Sequence, residues 1–163
     1  MKVEEKFQII EATIKDVPLI LSLIKELAEY EKLLHEVTAT EDILTKNLFG
    51  PHPRAEAVIL YSDDKPAGFA LYFYNFSTFL GKPGIYLEDL YVRPEFRGKG
   101  FGKVLLKHMA KIAKQRDCGR VEWSVLDWNK TAIDFYKSLG AITMEGWSVN
   151  RVAGDALINL AKD

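Results

Sequence analysis

The sequence predicts a mixed α/β fold with a mostly antiparallel central sheet and flanking helices. Three observations predict it. Two helical patterns follow a short first strand, an antiparallel meander comes next, and the second half alternates strands with helices. With 163 residues, 48% of them hydrophobic, the chain can bury a sizeable core without metals or disulfides. We therefore expect a single domain over residues 1–163.

The first half is defined by helix caps and turn residues. Asp16 precedes a helix with Pro18 in its first turn, and Thr40 precedes a second helix that Gly50 ends. Acidic and proline turn residues separate the next two strands. The predicted segments are strand 7–12, helix 16–32, helix 41–49, and strands 57–61 and 67–74 joined at 63–66.

The second half is predicted from apolar runs separated by glycines. A long amphipathic helix follows the most apolar strand, and Gly140 ends a shorter helix that begins at Asn129. The predicted segments are strand 85–92, helix 102–117, strand 121–126, helix 129–139 and a final strand pair.

The most informative motif is the loop Arg97-Gly98-Lys99-Gly100-Phe101-Gly102 between a strand and a helix. Its glycines let backbone N–H groups approach an anion at the helix N-terminus, so we expect a phosphate-bearing ligand. Lys103 stands where a dinucleotide fingerprint needs glycine, and Val104 where a Walker loop needs serine or threonine. A ligand-free turn remains the alternative.

Composition restricts the other function classes. The 22 basic and 23 acidic residues argue against nucleic acid as the partner of the basic strip around the loop. His35, His52 and His108 share no ligand spacing, so no metal is assigned. The N-terminus lacks a signal-peptide pattern, and no apolar run is long enough to span a bilayer. We expect a cytoplasmic protein.

The loop, which follows a strand ending in Leu90-Tyr91-Val92, resembles the pyrophosphate loop of the GNAT superfamily of acyl-CoA-dependent N-acetyltransferases. Within that superfamily, separated segments are similar to spermidine/spermine N-acetyltransferase and its thialysine-acetylating relatives. These segments are 23–31, 86–92, 128–129, 135–137 and 145–147. The resemblance implies the GNAT fold, acetyl-CoA as acyl donor, no metal and a homodimer. The cofactor residues that it implies are Leu90, Tyr91, Val92, Arg97, Gly98, Lys99, Gly100, Phe101, Gly102, Lys103, Asn129, Ala132 and Tyr136.

Three acids interrupt apolar patterns. Glu31 continues the buried stripe of the first helix, and Glu88 and Asp89 interrupt an apolar strand. Burying an unpaired charge is costly, so such groups usually have a cationic partner or line a cleft. For Glu31 the alternative is a frayed, solvated helix end, and for Asp89 it is a structural role. Glu88 and Asp89 should point to opposite faces unless a bulge redirects one of them.

The resemblance implies roles for these residues. Glu88 would accept the proton of the attacking amine, and Tyr136 would protonate the departing sulfur. A backbone N–H near the end of the Glu88 strand would polarise the thioester oxygen. The implied substrate residues are Tyr30, Glu31, Glu88, Asp89, Glu122, Trp123, Ser124 and Glu145.

The sequence therefore predicts an acetyl-CoA-dependent N-acetyltransferase whose acceptor is a polyamine or diamine, with spermidine preferred over thialysine. The alternative acceptor is thialysine or another lysine-like amine. A noncatalytic acyl-CoA-binding sensor is the alternative from a different class. The expected partners are a small cationic amine and a second copy of the chain, with no nucleic acid and no membrane.

Overall fold

The computed structural model describes residues 6–162, which divide into two compact units between Ser124 and Val125. The first unit holds all the strands among the described residues and three α-helices, and the second holds two short helices. That both units belong to one domain stays a prediction.

The first unit is built on a five-stranded sheet whose spatial order follows the chain. Neighbouring strands are antiparallel, except that β4 and β5 are parallel. This confirms the predicted mixed, mostly antiparallel sheet. The strands are β1 (Phe7–Glu11), β2 (Glu56–Ser62), β3 (Lys65–Ser77), β4 (Lys82–Val92) and β5 (Val121–Glu122).

Three α-helices flank this sheet, namely α1 (Val17–Tyr30), α2 (Glu41–Phe49) and α3 (Phe101–Gln115). Leu23 and Leu27 of α1 pack with Leu71 of β3 in the core. The guanidinium of Arg116, which ends α3, lies over the ring of Tyr72, 5.9 Å from its centroid. Because adjacent strand residues point to opposite faces, α1 and the end of α3 lie on opposite sides of the sheet. Within residues 6–162, no helix is long and apolar enough to cross a membrane.

The ends of α1 differ slightly from the prediction. A 3₁₀ turn, Ile14–Asp16, precedes the helix, and the Asp16 carboxylate accepts a bond from the Thr13 N–H at 2.7 Å instead of capping α1. The helix ends at Tyr30, and Lys32 beyond it has φ +62°. A left-handed residue cannot continue an α-helix, which places Glu31 at the C-cap.

The predictions for two segments after α3 are wrong. The strand predicted at 121–126 is only two residues long, and residues 141–162 contain no strand where a final pair is expected. In the second unit, the helices are α4 (Lys130–Ser138) and α5 (Gly154–Leu160). A strand persists only where a neighbour takes up its backbone hydrogen bonds, and the second unit offers no such ladder among its described residues.

Candidate active site

The glycine loop is open where a phosphate would bind. Gly98 and Gly100 have φ +79° and +82°, and a Cβ added at either position would meet no heavy atom within 4 Å. Gly100 is the N-cap of α3, whose first N–H groups have no acceptor within the helix. The loop therefore presents backbone donors and a positive helix end to open space, which fits the pyrophosphate of acetyl-CoA.

The side chains around this loop divide into exposed and packed groups. Lys99 and Lys103 are exposed, and Lys99 Nζ lies 5.4 Å from the centroid of the Phe96 ring. Phe101 is buried, with its ring centroid 5.9 Å from that of Phe7. Phe101 thus anchors the start of α3 through its side chain, which leaves its backbone as the part that can bind a ligand.

The two arginines near the loop are already engaged. Arg93 forms a two-pronged ion pair with Glu26 of α1, with N–O distances of 2.8 and 3.1 Å. Arg97 donates from Nε to the Val92 carbonyl at 2.9 Å. Its guanidinium carbon lies 4.9 Å from the centroid of the Tyr30 ring and 5.6 Å from that of Tyr91. The predicted cofactor residue Arg97 therefore reaches toward the predicted substrate residue Tyr30.

The strand before the loop contains a bulge at the predicted base. Asp89 pairs with Leu71 and Leu87 pairs with Tyr72, so Glu88 is an extra residue with no partner in β3. Cross-strand partners share a face, which puts Asp89 on the α1 side of the sheet with Leu71. The bulge breaks the regular alternation on which the opposite-face expectation for Glu88 and Asp89 rests.

Asp89 is affected by its burial and by two neighbouring acids. Burial raises the pKa of Asp89 to about 7, and the negative charges of Glu88 and Glu31 add to the shift. Burial also raises the pKa of Glu31. The solvated alternative for Glu31 is therefore not what the structure shows, since this carboxyl is partly buried. Three neighbouring carboxyl groups in a partly desolvated place form a site suited to a cation.

The edge of the sheet carries three further predicted substrate residues. The Ser124 hydroxyl lies 2.9 Å from the hydroxyl of Tyr86, whose ring contacts that of Phe73. Glu122 forms an ion pair with Arg120, and Trp123 is half-buried. Glu122 thus already has a cationic partner, whereas Ser124 presents a neutral hydroxyl pair that can donate or accept.

Four predicted site residues lie in the second unit. The Asn129 side chain caps α4 by accepting the N–H of Ala132 at 3.2 Å. Tyr136 lies one turn after Ala132 on the same helix face, half-buried, with its ring centroid 5.4 Å from that of Phe135. Glu145 lies in an exposed turn and not in a strand.

Sequence reasoning missed the arginine contacts with α1. Arg93 belongs to the basic strip around the loop, and in the structure it pairs with Glu26. Matching spacings could have indicated these contacts. Arg93 and Arg97 are four residues apart, and so are Glu26 and Tyr30, which lie on one face of a helix. That signal depends on α1 packing beside the end of β4, which no local pattern reveals.

Replacing Asp89 by asparagine should change how stability depends on pH. A carboxyl whose pKa is raised from 3.8 to about 7 stabilises the fold at low pH and loses that contribution as pH rises to 7. The free energy of unfolding of the Asp89→Asn protein, measured relative to that of the parent, should therefore rise by roughly 3 kcal/mol between pH 4 and pH 8. Urea unfolding at both pH values measures this. The exposed Asp134→Asn variant should follow the parent, and equal pH dependence in all three proteins would contradict a buried Asp89 carboxyl.

Similarity to known proteins identifies the family of this chain. The Acetyltransferase (GNAT) family profile matches residues 20–141. A thialysine N-epsilon-acetyltransferase of Bos taurus is 43% identical, over 87% of this chain and 89% of its own. Spermidine/spermine N(1)-acetyltransferase-like protein 1 of Homo sapiens is 36% identical over 95% of this chain, which spans 24% of that protein.

A solved structure is similar over nearly the whole chain. An integron cassette protein from V. cholerae superposes with a TM-score of 0.80 at 31% identity, covering 96% of this chain and 98% of its own. The family match covers residues 20–30 of α1, all of β4 and the complete glycine loop. The chain thus belongs to the GNAT family and is an acetyl-CoA-dependent N-acetyltransferase.

Proposed function

We propose that this enzyme acetylates the terminal primary amine of a small alkylamine. The observation that carries the proposal is the acid cluster of Glu31, Glu88 and Asp89, where burial and neighbouring negative charge act together on Asp89. A terminal ammonium group would relieve that repulsion and form charge-assisted hydrogen bonds with the carboxylates. Amines without a positive charge would lack this gain.

The acceptor must lose a proton before it reacts. An alkylamine with a pKa near 10.4 is neutral in only about one molecule in ~10³ at pH 7. Glu88 is exposed at the bulge and next to Asp89, so it can meet the amine and exchange protons with water. We assign Glu88 the role of proton acceptor, with Glu31 and Asp89 holding the cation beside it.

The donor side is assigned to the loop and to α4. Acetyl-CoA supplies the activated thioester carbonyl that the neutral amine attacks. The loop backbone from Gly98 to Lys103 would bind the pyrophosphate, and the Tyr136 hydroxyl would give a proton to the departing sulfur. The chemistry of tyrosine supports the assignment of Tyr136, because a tyrosine hydroxyl is protonated at neutral pH and can donate its proton to a thiolate.

Two acceptor classes fit these groups. The first is a lysine-like amino acid, supported by the 43% identity to a protein named thialysine N-epsilon-acetyltransferase. The second is a polyamine or diamine, supported by the cluster of three carboxyl groups, which can bind more than one ammonium group. A carboxylate on the acceptor would be repelled by this cluster, so the two classes should differ in specificity constant.

The two acceptor classes can be distinguished by comparing several amines as acceptors, with acetyl-CoA as the donor. Thiol release would be followed with thialysine, lysine, ornithine, putrescine and spermidine, and kcat/KM compared. We expect the highest value with thialysine, the acceptor in the name of the 43% identical relative. This expectation reverses the preference for spermidine that the sequence predicts, and the repulsion of the thialysine carboxylate by the acid cluster makes spermidine the competing outcome. A higher value for spermidine would assign the enzyme to the polyamine class, and no thiol release with any primary amine would refute the proposed function.

Glu31→Gln should weaken a polyamine acceptor more than thialysine. The substitution removes one of the negative charges, and a polyamine has more cationic groups that depend on them. We expect about a tenfold rise in KM for spermidine at low salt, shrinking as salt screens the remaining attraction. The exposed Glu29→Gln variant is the matched control on the same helix. An equal rise in both variants would show a general charge effect and exclude a specific contact.

A further inference from the structure

Two arginines hold one face of α1 against the end of β4 and the loop that follows. We call this set of four residues, Glu26, Tyr30, Arg93 and Arg97, the α1 clamp. Arg93 pairs with Glu26 and also donates to the Pro66 carbonyl at 3.1 Å. Arg97 covers Tyr30 one helical turn later. The clamp therefore spans the last two turns of α1.

The exposed Arg97 side chain has three contacts. Its Nε donates to the Val92 carbonyl at 2.9 Å, and its guanidinium lies against the rings of Tyr30 and Tyr91. Among residues 6–162, it forms no ion pair with a carboxylate. Its backbone belongs to the glycine loop, whereas its side chain contacts α1. Arg97 is thus a physical connection between the donor loop and the acceptor helix.

The end of α1 is a place where such a connection matters. Tyr30 is the last helical residue, Glu31 is the C-cap, and Lys32 takes a left-handed conformation. The last turn of a helix has unsatisfied carbonyl groups and opens more readily than its centre. The positions of Tyr30 and Glu31 therefore depend on contacts outside the helix, and the ring contact with Arg97 is one of them.

We propose that Arg97 is a positioning residue through which acetyl-CoA binding orders Tyr30 and Glu31 for the acceptor. Pyrophosphate in the glycine loop would fix the backbone around residue 97. The fixed guanidinium would then hold the Tyr30 ring and the C-cap that follows it. By linkage, acetyl-CoA and the acceptor should each raise the affinity of the other by the same factor. This inference rests on the proposed function for the roles of Tyr30 and Glu31.

The kinetic test compares two positions in the same loop. Arg97→Met keeps an unbranched apolar stem but removes the charge, the hydrogen bond to the Val92 carbonyl and the planar guanidinium. We expect its acceptor KM at saturating acetyl-CoA to rise about tenfold, while the acetyl-CoA Kd from calorimetry changes less than about threefold. Lys99→Met should instead raise the acetyl-CoA Kd and leave the acceptor KM at saturating acetyl-CoA nearly unchanged, because Lys99 is a predicted phosphate contact. Arg97→Lys, which keeps the charge but not the planar group, should behave like Arg97→Met.

Hydrogen exchange gives a readout that needs no acceptor. Acetyl-CoA should slow amide exchange at residues 28–33 of the parent and of Lys99→Met at saturating ligand, but not of Arg97→Met. Persistent slowing in Arg97→Met would overturn the proposal. So would a rise in acetyl-CoA Kd that equals or exceeds the rise in acceptor KM, since Arg97 would then be a phosphate ligand. If no amine is acetylated, the proposed function fails while the exchange result still decides whether Arg97 couples loop and helix.

Discussion

Gly100→Val is expected to abolish acetyl-CoA binding in calorimetry. Gly100 has φ +82°, which a β-branched residue adopts only with strain, and its missing Cβ leaves open space above the backbone. The valine side chain would occupy the space through which pyrophosphate approaches the first N–H groups of α3. We expect at least about a hundredfold loss of affinity, since backbone strain would misplace the N–H donors and the side chain would block access to them.

Gly81→Val is the matched control for this substitution. Gly81 also has a positive φ, +66°, and open space around the position of a Cβ, but it lies in the turn between β3 and β4. Both variants should lose comparable thermal stability from backbone strain, and only Gly100→Val should lose acetyl-CoA. Unchanged affinity in a folded Gly100→Val protein would remove the glycine loop from the donor site.

Tyr136→Phe is expected to lower kcat by about a hundredfold, a typical effect of removing a general acid. The hydroxyl is proposed to act on the departing sulfur only in the transition state, so acetyl-CoA affinity should change less than about threefold. The ring can keep its contact with Phe135. Single-turnover measurements of thiol release would show whether chemistry limits the rate.

The control for the lost hydroxyl is Tyr61→Phe, at a half-buried tyrosine of β2 that has no predicted catalytic role. It should retain parental turnover. If Tyr136→Phe keeps full turnover while chemistry is rate-limiting, Tyr136 is a packing residue and another group must protonate the thiolate.

The parts of the fold that local chemistry defines were predicted well. Helix α2 begins and ends where the sequence indicates, because the Thr40 hydroxyl accepts the Ile43 N–H at 3.3 Å and Gly50 follows the last turn. Asp63 and Asp64 form the expected hairpin turn, both with positive φ. The final strand pair was wrong because alternation of side chains marks a segment that can pair, and pairing also needs a neighbouring strand.

The candidate site likewise has features that local sequence predicts and features that depend on contacts between distant segments. The glycine loop was predictable because its backbone conformation is encoded by glycine itself. The raised pKa of Asp89 was not, because it depends first on the burial of this carboxyl in the folded chain and then on the charges of Glu88 and of Glu31, which comes from the distant segment after α1. The contact of Arg97 with Tyr30 joins residues 67 positions apart and leaves no periodic trace.

The bulge in β4 also has a consequence for chain length. If Glu88 were deleted, Leu87 and Asp89 would become consecutive, and both could keep their present partners, Tyr72 and Leu71, in an unbroken ladder. The sheet does not need this residue for its hydrogen bonds or for its alternation of faces. An insertion or deletion elsewhere in β4 would shift one part of the strand onto the wrong face, whereas loss of Glu88 would straighten the strand. Glu88 is therefore the one residue of β4 that could be deleted without disturbing the sheet. The shortened chain would keep the strand but lose the Glu88 carboxylate.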